Sequence, residues 1–365
     1  MRGNEFLEKL TPIDDVLIER AQMASPVRAY FKWIAVAACA AVVFSVGFFG
    51  WRHTRLPLLT IETGRFEAAG FEGYMACDID EIITANPWTA ADRITHLPVM
   101  RNTLRSPNGQ QTEMVSRMKD LLMDTAVCLG MDTAVLTISD SSSAQEGPRF
   151  FVENDLYKVE VDATLSAIVE HKAFTLPADC FLHDSRGIYR IAEYLLKEYG
   201  AYIHMADPQV DLSEAESLSI ISFFEGSSDP VQRLLNYHFT YVKFFFFEDG
   251  KVVSRQYQAD LSDILGQYPI VTAEQALDLL SSGYFITSVT QDTFPGTAYV
   301  RRTELVYRND ISETLYIPYY KFYVELPGWN DRLESGLHMY GVYYVPAVEK
   351  KYIRNMPVWD GSLPG

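Results

Sequence analysis

The order of apolar and polar positions divides the chain into a short mixed segment, one long apolar run and a large remainder. From Trp33 to Trp51 no side chain carries a charge, and Lys32 and Arg52 bound the run. A helix of this length reaches about 28 Å, close to the hydrocarbon thickness of a bilayer. Tryptophan at both ends suits the two membrane–water interfaces. The pattern predicts a single transmembrane helix over 33–51, kept as a signal anchor, because a cleaved leader has a shorter basic start and a small-residue cleavage site.

Residues 1–32 read as a tail with one short amphipathic helix. Thr11 can cap it, Pro12 suits its first position, and Asp14 and Asp15 sit where the helix dipole favours acid. Ile13, Val16, Leu17 and Ala21 then share a face and form a candidate docking surface for a cytoplasmic regulatory protein. Arg2, Lys9, Arg20, Arg28 and Lys32 precede the run, against Arg52, Arg55 and Arg65 after it. The balance predicts a cytoplasmic tail and an extracytoplasmic bulk in the cell membrane.

Residues 52–75 read as a connector with a strand at 58–62. The remainder predicts an α+β fold of antiparallel sheets with packed helices, in two subdomains spanning 76–207 and 208–365. Met114, Met118, Leu121, Leu122, Thr125, Ala126 and Leu129 keep helical spacing over 111–129, and Gly130 suits the stop. A strand is predicted at 134–138, and others at 157–163 and 165–170. A helix opening at Asp184 or Ser185 would turn Ile188, Ile191, Ala192, Leu195, Leu196 and Tyr199 inward and end at Gly200. Asp249-Gly250 signals a hairpin between 241–247 and 251–258. Thr272 and Gln275 form a capping box for a helix carrying Ala276, Leu277 and Leu280. Three more strands are predicted at 298–307, 315–325 and 340–348.

Charge sharpens this picture. The net charge is −17, and residues 1–55 hold seven basic and five acidic side chains, leaving the large domain at −19. Such a surface repels phosphate backbones, which argues against nucleic-acid binding. Cys77, Cys128 and Cys180 are too few and too widely spaced for a disulfide framework or a metal site, and read as buried free thiols. No zinc-protease helix, nucleophile elbow, phosphate loop or dinucleotide fingerprint occurs, so no catalytic residue, cofactor or metal ligand is predicted. The acidic cluster Asp78, Asp80 and Glu81 lacks the spacing of a calcium loop. Tyr319, Tyr320, Tyr323, Trp329 and Tyr343 fall in the aromatic strands near the C-terminus. They are candidate ligand-binding aromatics for an envelope protein or peptide, although strands also enrich Tyr and Phe for packing alone.

The tail from Phe6 to Ala21, followed by Lys32 to Cys39, resembles single-pass membrane proteins of clostridia-type Gram-positive bacteria, some of whose relatives look like anti-sigma factors. The tail lacks the His/Cys zinc-binding pattern of one large anti-sigma class. The segments 270–280, 304–307, 318–326 and 340–348 are similar to PepSY-like modules, from about 268 onward, and to extracytoplasmic regulators of a cell-wall-sensing histidine kinase. The resemblance implies a regulatory or sensory membrane protein and supplies no catalytic residues. The leading expectation is a non-enzymatic, membrane-anchored sensor or regulator of anti-sigma-like type. The alternatives are an extracytoplasmic binding or inhibitory module and a cell-envelope hydrolase.

Overall fold

Strands dominate the described residues, because Val, Ile, Phe and Tyr are frequent in them and cover a pleated, buried surface. A computed structural model describes residues 56–62, 74–77, 85–105, 111–143, 147–177, 185–215, 218–287, 289, 294–310, 313–330 and 337–359. The predicted transmembrane run and the docking face Ile13, Val16, Leu17 and Ala21 lie outside the described residues. Among the described residues, no helix is long and apolar enough to cross a membrane.

In chain order, β1 (Tyr74–Cys77) and β2 (His96–Arg101) precede helix α1 (Gln111–Cys128). Strands β3 (Ser139–Asp140), β4 (Arg149–Glu153), β5 (Tyr157–Asp162) and β6 (Ser166–His171) follow, then α2 (Ser185–Glu198) and the single turn α3 (Gly200–Ile203). Next come β7 (Pro208–Ala215), β8 (Leu218–Glu225), α4 (Pro230–Phe239), β9 (Thr240–Phe247), β10 (Val252–Gln258) and β11 (Ile264–Pro269). The chain closes with α5 (Ala273–Ser281), β12 (Ile286–Thr287), β13 (Val300–Tyr307), β14 (Leu315–Tyr316), β15 (Pro318–Glu325), α6 (Pro327–Asn330) and β16 (His338–Pro346). The fold is α+β, and its named strands pair antiparallel.

Eight strands form one sheet in the order β3-β4-β5-β6-β10-β9-β8-β7. Helices α1, α2 and α3 cover one face, where Leu122, Ile191, Leu195, Val159, Phe223 and Phe244 meet with no more than 1% exposure. Each such side chain contributes about 1.5–3 kcal/mol by leaving water. A second sheet runs β1-β16-β15-β13, with β12 also on β16, and a third runs β11-β2-β14. These two share a core with α4 and α5, built on Leu97, Leu234, Phe239, Leu280, Phe322 and Val345.

Two cores therefore exist, but the expected seam at 207/208 does not separate them. Strand β6 pairs with β10 along five residues, from Ser166↔Tyr257 to Glu170↔Val253, so both sides of the seam share one hydrogen-bonded sheet. Residues 57–365 group as a single compact unit.

Local expectations fare unevenly. Helix α1, the Asp249-Gly250 hairpin and the Thr272–Gln275 capping box all form. Residues 134–138 do not make a strand. Asp132 Oδ1 accepts from Ala134 N and turns the chain, which leaves Val135 75% exposed. At 58–62 only Leu59 makes a bridge, parallel to Ile353. The predicted 315–325 strand breaks at Ile317: β14 joins β2, while β15 joins β13 and β16. Helix α2 ends at Glu198, beside the expected stop, and a separate single turn, α3, begins at Gly200. Cys128 is an exposed free thiol at the end of α1 rather than a buried one.

Candidate functional site

The face of the eight-stranded sheet opposite helices α1, α2 and α3 carries a row of polar side chains fixed by register. Asp211 on β7 opposes Ser222 on β8, Ser222 opposes Lys243 on β9, and Lys243 opposes Arg255 on β10. A second row crosses the five-stranded sheet, where Glu304 on β13 opposes Lys321 on β15, and Lys321 opposes Tyr344 on β16. Asp211, Ser222, Lys243, Glu304, Lys321 and Tyr344 all line one cavity of about 330 Å³. Helix α4 closes its side with Tyr237 and His238. Asp229 positions that helix by accepting from Val231 N at 3.0 Å, with Pro230 as the first helical residue.

Each charged group of the cavity has a distinct environment. Asp211 Oδ1 accepts from Ala85 N at 2.9 Å, and its Oδ2 accepts from the Tyr237 hydroxyl at 3.1 Å. Burial raises the Asp211 carboxyl above the ordinary range, and those two hydrogen bonds oppose the rise. Burial pulls the Lys243 ammonium below the usual lysine range, while nearby Asp211 pulls it back. Lys243 Nζ sits 4.4 Å from the Tyr241 ring centre. Glu304, only 6% exposed, pairs with Arg302 Nε at 2.8 Å and accepts from the Tyr323 hydroxyl at 3.3 Å. Lys321 lies over the rings of Tyr323 and Tyr344, at 4.9 and 5.8 Å. Burial drives His238 down to about 3, so this imidazole is neutral at physiological pH.

Acidic groups (Asp211, Glu304, Asp310) and basic groups (Lys243, Arg308, Lys321) thus face one small volume with aromatic walls. Such a site can orient a polar molecule by charge at both of its ends. The protein also has a serine–histidine contact, His171 Nε2 to Ser254 Oγ at 2.8 Å, but it is sealed in the first core with Ser254 0% exposed. That pair cannot meet a substrate. Among the described residues no group of three metal-ligating side chains converges.

Of the five aromatics singled out from the sequence, Tyr323 lines the cavity. Tyr319 shares its face of β15 and packs against Tyr344, with ring centres 6.2 Å apart. Tyr320 and Tyr343 point the other way, into the second core. There the Tyr320 hydroxyl donates to Val271 O at 2.9 Å, and Tyr343 lies against Phe285 at 5.1 Å. Trp329, half-buried, packs at the edge of that core. The pleat separates neighbours in sequence onto opposite faces, so the five do not form one platform.

Sequence reasoning missed Asp211, Lys243, Glu304 and Lys321. A signal was present for three of them, since Asp211, Lys243 and Lys321 each interrupt a strand between bulky apolar neighbours, as in Val242-Lys243-Phe244 and Tyr320-Lys321-Phe322.

No family model matches the chain, and no curated protein does. Among solved structures, an uncharacterized protein from Eubacterium rectale aligns over 70% of this chain and 84% of its own, at 11% identity and a TM-score of 0.34. A likeness that slight assigns no function.

Proposed function

We propose that the chain is a non-enzymatic, membrane-anchored binding protein of the sensory or regulatory kind, whose ligand site is the cavity between the two polar sheet faces. The observation that supports this reading is the pair of opposed rows, Asp211–Ser222–Lys243 and Glu304–Lys321–Tyr344, around about 330 Å³. Burying charge is costly, and a cavity that keeps both signs in place is suited to recognising a small polar molecule. The apolar run 33–51 supplies the anchor. On this reading the tail, through Ile13, Val16, Leu17 and Ala21, engages a cytoplasmic regulatory protein in the manner of an anti-sigma factor.

Two measurements test the two halves. Carbonate extraction and protease shaving of intact protoplasts are expected to retain the chain in the membrane while digesting residues beyond 52; protection of the large domain overturns the orientation. Thermal melts of the full chain in lipid nanodiscs, run against small-molecule sets of distinct chemistry, are expected to show a saturable rise in Tm for one class. A second reading keeps the same cavity and treats the tail as a leader only, because every cavity residue lies far outside it. Deleting residues 4–24 separates the readings: signalling survives the deletion only under the second.

A further inference from the structure

We infer that the cavity takes a small α-amino carboxylate zwitterion with an apolar or aromatic side chain, as a free amino acid or a dipeptide. This inference rests on the binding reading above and names the chemistry of its ligand.

Three features select that class. The Lys243 ammonium makes no hydrogen bond or ion pair among the described residues; it lies 4.4 Å from the Tyr241 ring centre and within reach of the charges of Asp211 and Arg255. It borders the cavity, and its three N–H groups suit an anionic acceptor there. In the same row, Asp211 offers a carboxylate held rigidly by Ala85 N and the Tyr237 hydroxyl. One strand lies between the two, which sets their backbones roughly 10 Å apart. The residue on that strand is Ser222, whose small side chain leaves room above the row. A zwitterion lying over Ser222 can turn its carboxylate to Lys243 and its ammonium to Asp211.

Charge balance disfavours a ligand of one sign only. A plain anion faces Asp211, Glu304 and Asp310, and a plain cation faces Lys243, Lys321 and Arg308. Charges of both signs on one ligand match both sets of groups, whereas a single sign meets like charge on one side. The volume, about 330 Å³, stands at the small end of the ~300–1,000 Å³ range for ligand pockets. It admits an amino acid or a dipeptide and is too small for a folded partner. Phe224, Tyr237 and Tyr241 supply the wall for the side chain, with Phe224 and Tyr237 already packed edge to face at 5.1 Å.

The test uses the full chain in lipid nanodiscs, with calorimetric titration of L-phenylalanine, L-leucine and L-alanyl-L-phenylalanine. The comparison probes are phenethylamine, which lacks the carboxylate, and 3-phenylpropionate, which lacks the amine. At least one zwitterion is expected to bind, with each comparison probe weaker by about tenfold or more, since a site built for a polar group rejects the analogue lacking it. Stronger binding of L-phenylalanine than of L-alanyl-L-phenylalanine identifies the free amino acid as the source, and the reverse identifies the dipeptide. Lys243→Met is expected to weaken the zwitterion and spare phenethylamine, and Asp211→Asn to weaken the zwitterion and spare 3-phenylpropionate. If either variant fails to fold, the probes on the unaltered chain still decide. Equal binding of 3-phenylpropionate and L-phenylalanine overturns the inference. So does a Tm rise with sugars or inorganic phosphate in the absence of any amino acid effect, which leaves the binding reading standing. Silence toward every class overturns the binding reading itself.

Discussion

Arg308 Nη1 lies 2.9 Å from Glu313 Oε1, with the two side chains only 5% and 9% exposed. The pair holds the chain just after β13, beside the cavity. Removing one partner of a buried pair strands a charge, which costs about 3–5 kcal/mol, whereas replacing both with apolar groups can be close to neutral. Glu313→Ala is therefore expected to lose several kcal/mol in urea titration, and the double change Arg308→Met with Glu313→Leu much less. A single variant as stable as the parent contradicts this account.

His171 gives the fold an acid sensitivity. Its Nε2 meets Ser254 Oγ at 2.8 Å, and Ser254 in turn donates to the Tyr202 hydroxyl at 3.0 Å. Burial lowers its pKa from 6.5 to about 4. The unfolded chain takes up the proton first, so stability is complete above pH 6.5 and falls as the pH drops toward 4. The gap corresponds to about 3 kcal/mol. His171→Gln keeps a polar partner for Ser254 and cannot titrate. The fall in stability between pH 6.5 and 4 is expected to shrink by about that amount in chemical denaturation; an unchanged slope removes His171 as its source.

Gly341, in the middle of β16, leaves no space for a larger residue. A Cβ at that position would stand 2.6 Å from Val289 Cγ2, a fully buried side chain. Gly341→Ala is expected to cost about 1–3 kcal/mol through overpacking. Adding Val289→Ala should recover part of the loss, giving a favourable coupling in a double-mutant cycle. Strict additivity of the two changes argues that the clash is relieved elsewhere.

At the start of α5, Thr272 Oγ1 accepts from Gln275 N at 3.3 Å while Gln275 Oε1 accepts from Thr272 N at 2.9 Å. Thr272→Ala is expected to lower stability by about 1 kcal/mol. Hydrogen exchange of the first-turn amides should quicken at the same time; no change there means the cap is redundant.

That capping box was readable from two residues three apart, and so were α1 from its helical spacing and β5 from its alternation. Each depends on a short stretch that settles its own conformation. Where the reading failed, a neighbour distant in sequence decided. Ala134–Ile138 has strand composition, yet Asp132 turns it before any partner strand is met. Strand β14 parts from β15 because Arg101 and Met100 on β2 capture Leu315 and Tyr316. The site was the least legible part: each row follows from strands close in sequence, but nothing local brings the row 211–243 and the row 304–344 to one cavity. No local pattern tells Lys243 that Lys321 stands near the same cavity, and the alternation that parts Tyr320 from Tyr319 and Tyr323 does not say which of the two buried faces meets it.

The pairing of β6 with β10 also sets a schedule for the growing chain. A polypeptide delivered from its N-terminus presents β6 long before residue 252 exists, and until then its outer edge lies bare. Unpaired strand edges invite association with other chains, and distant pairings close slowly. Until the β9–β10 hairpin arrives, that edge is open to a shielding helper, and a chain that stops at 207 keeps it open permanently.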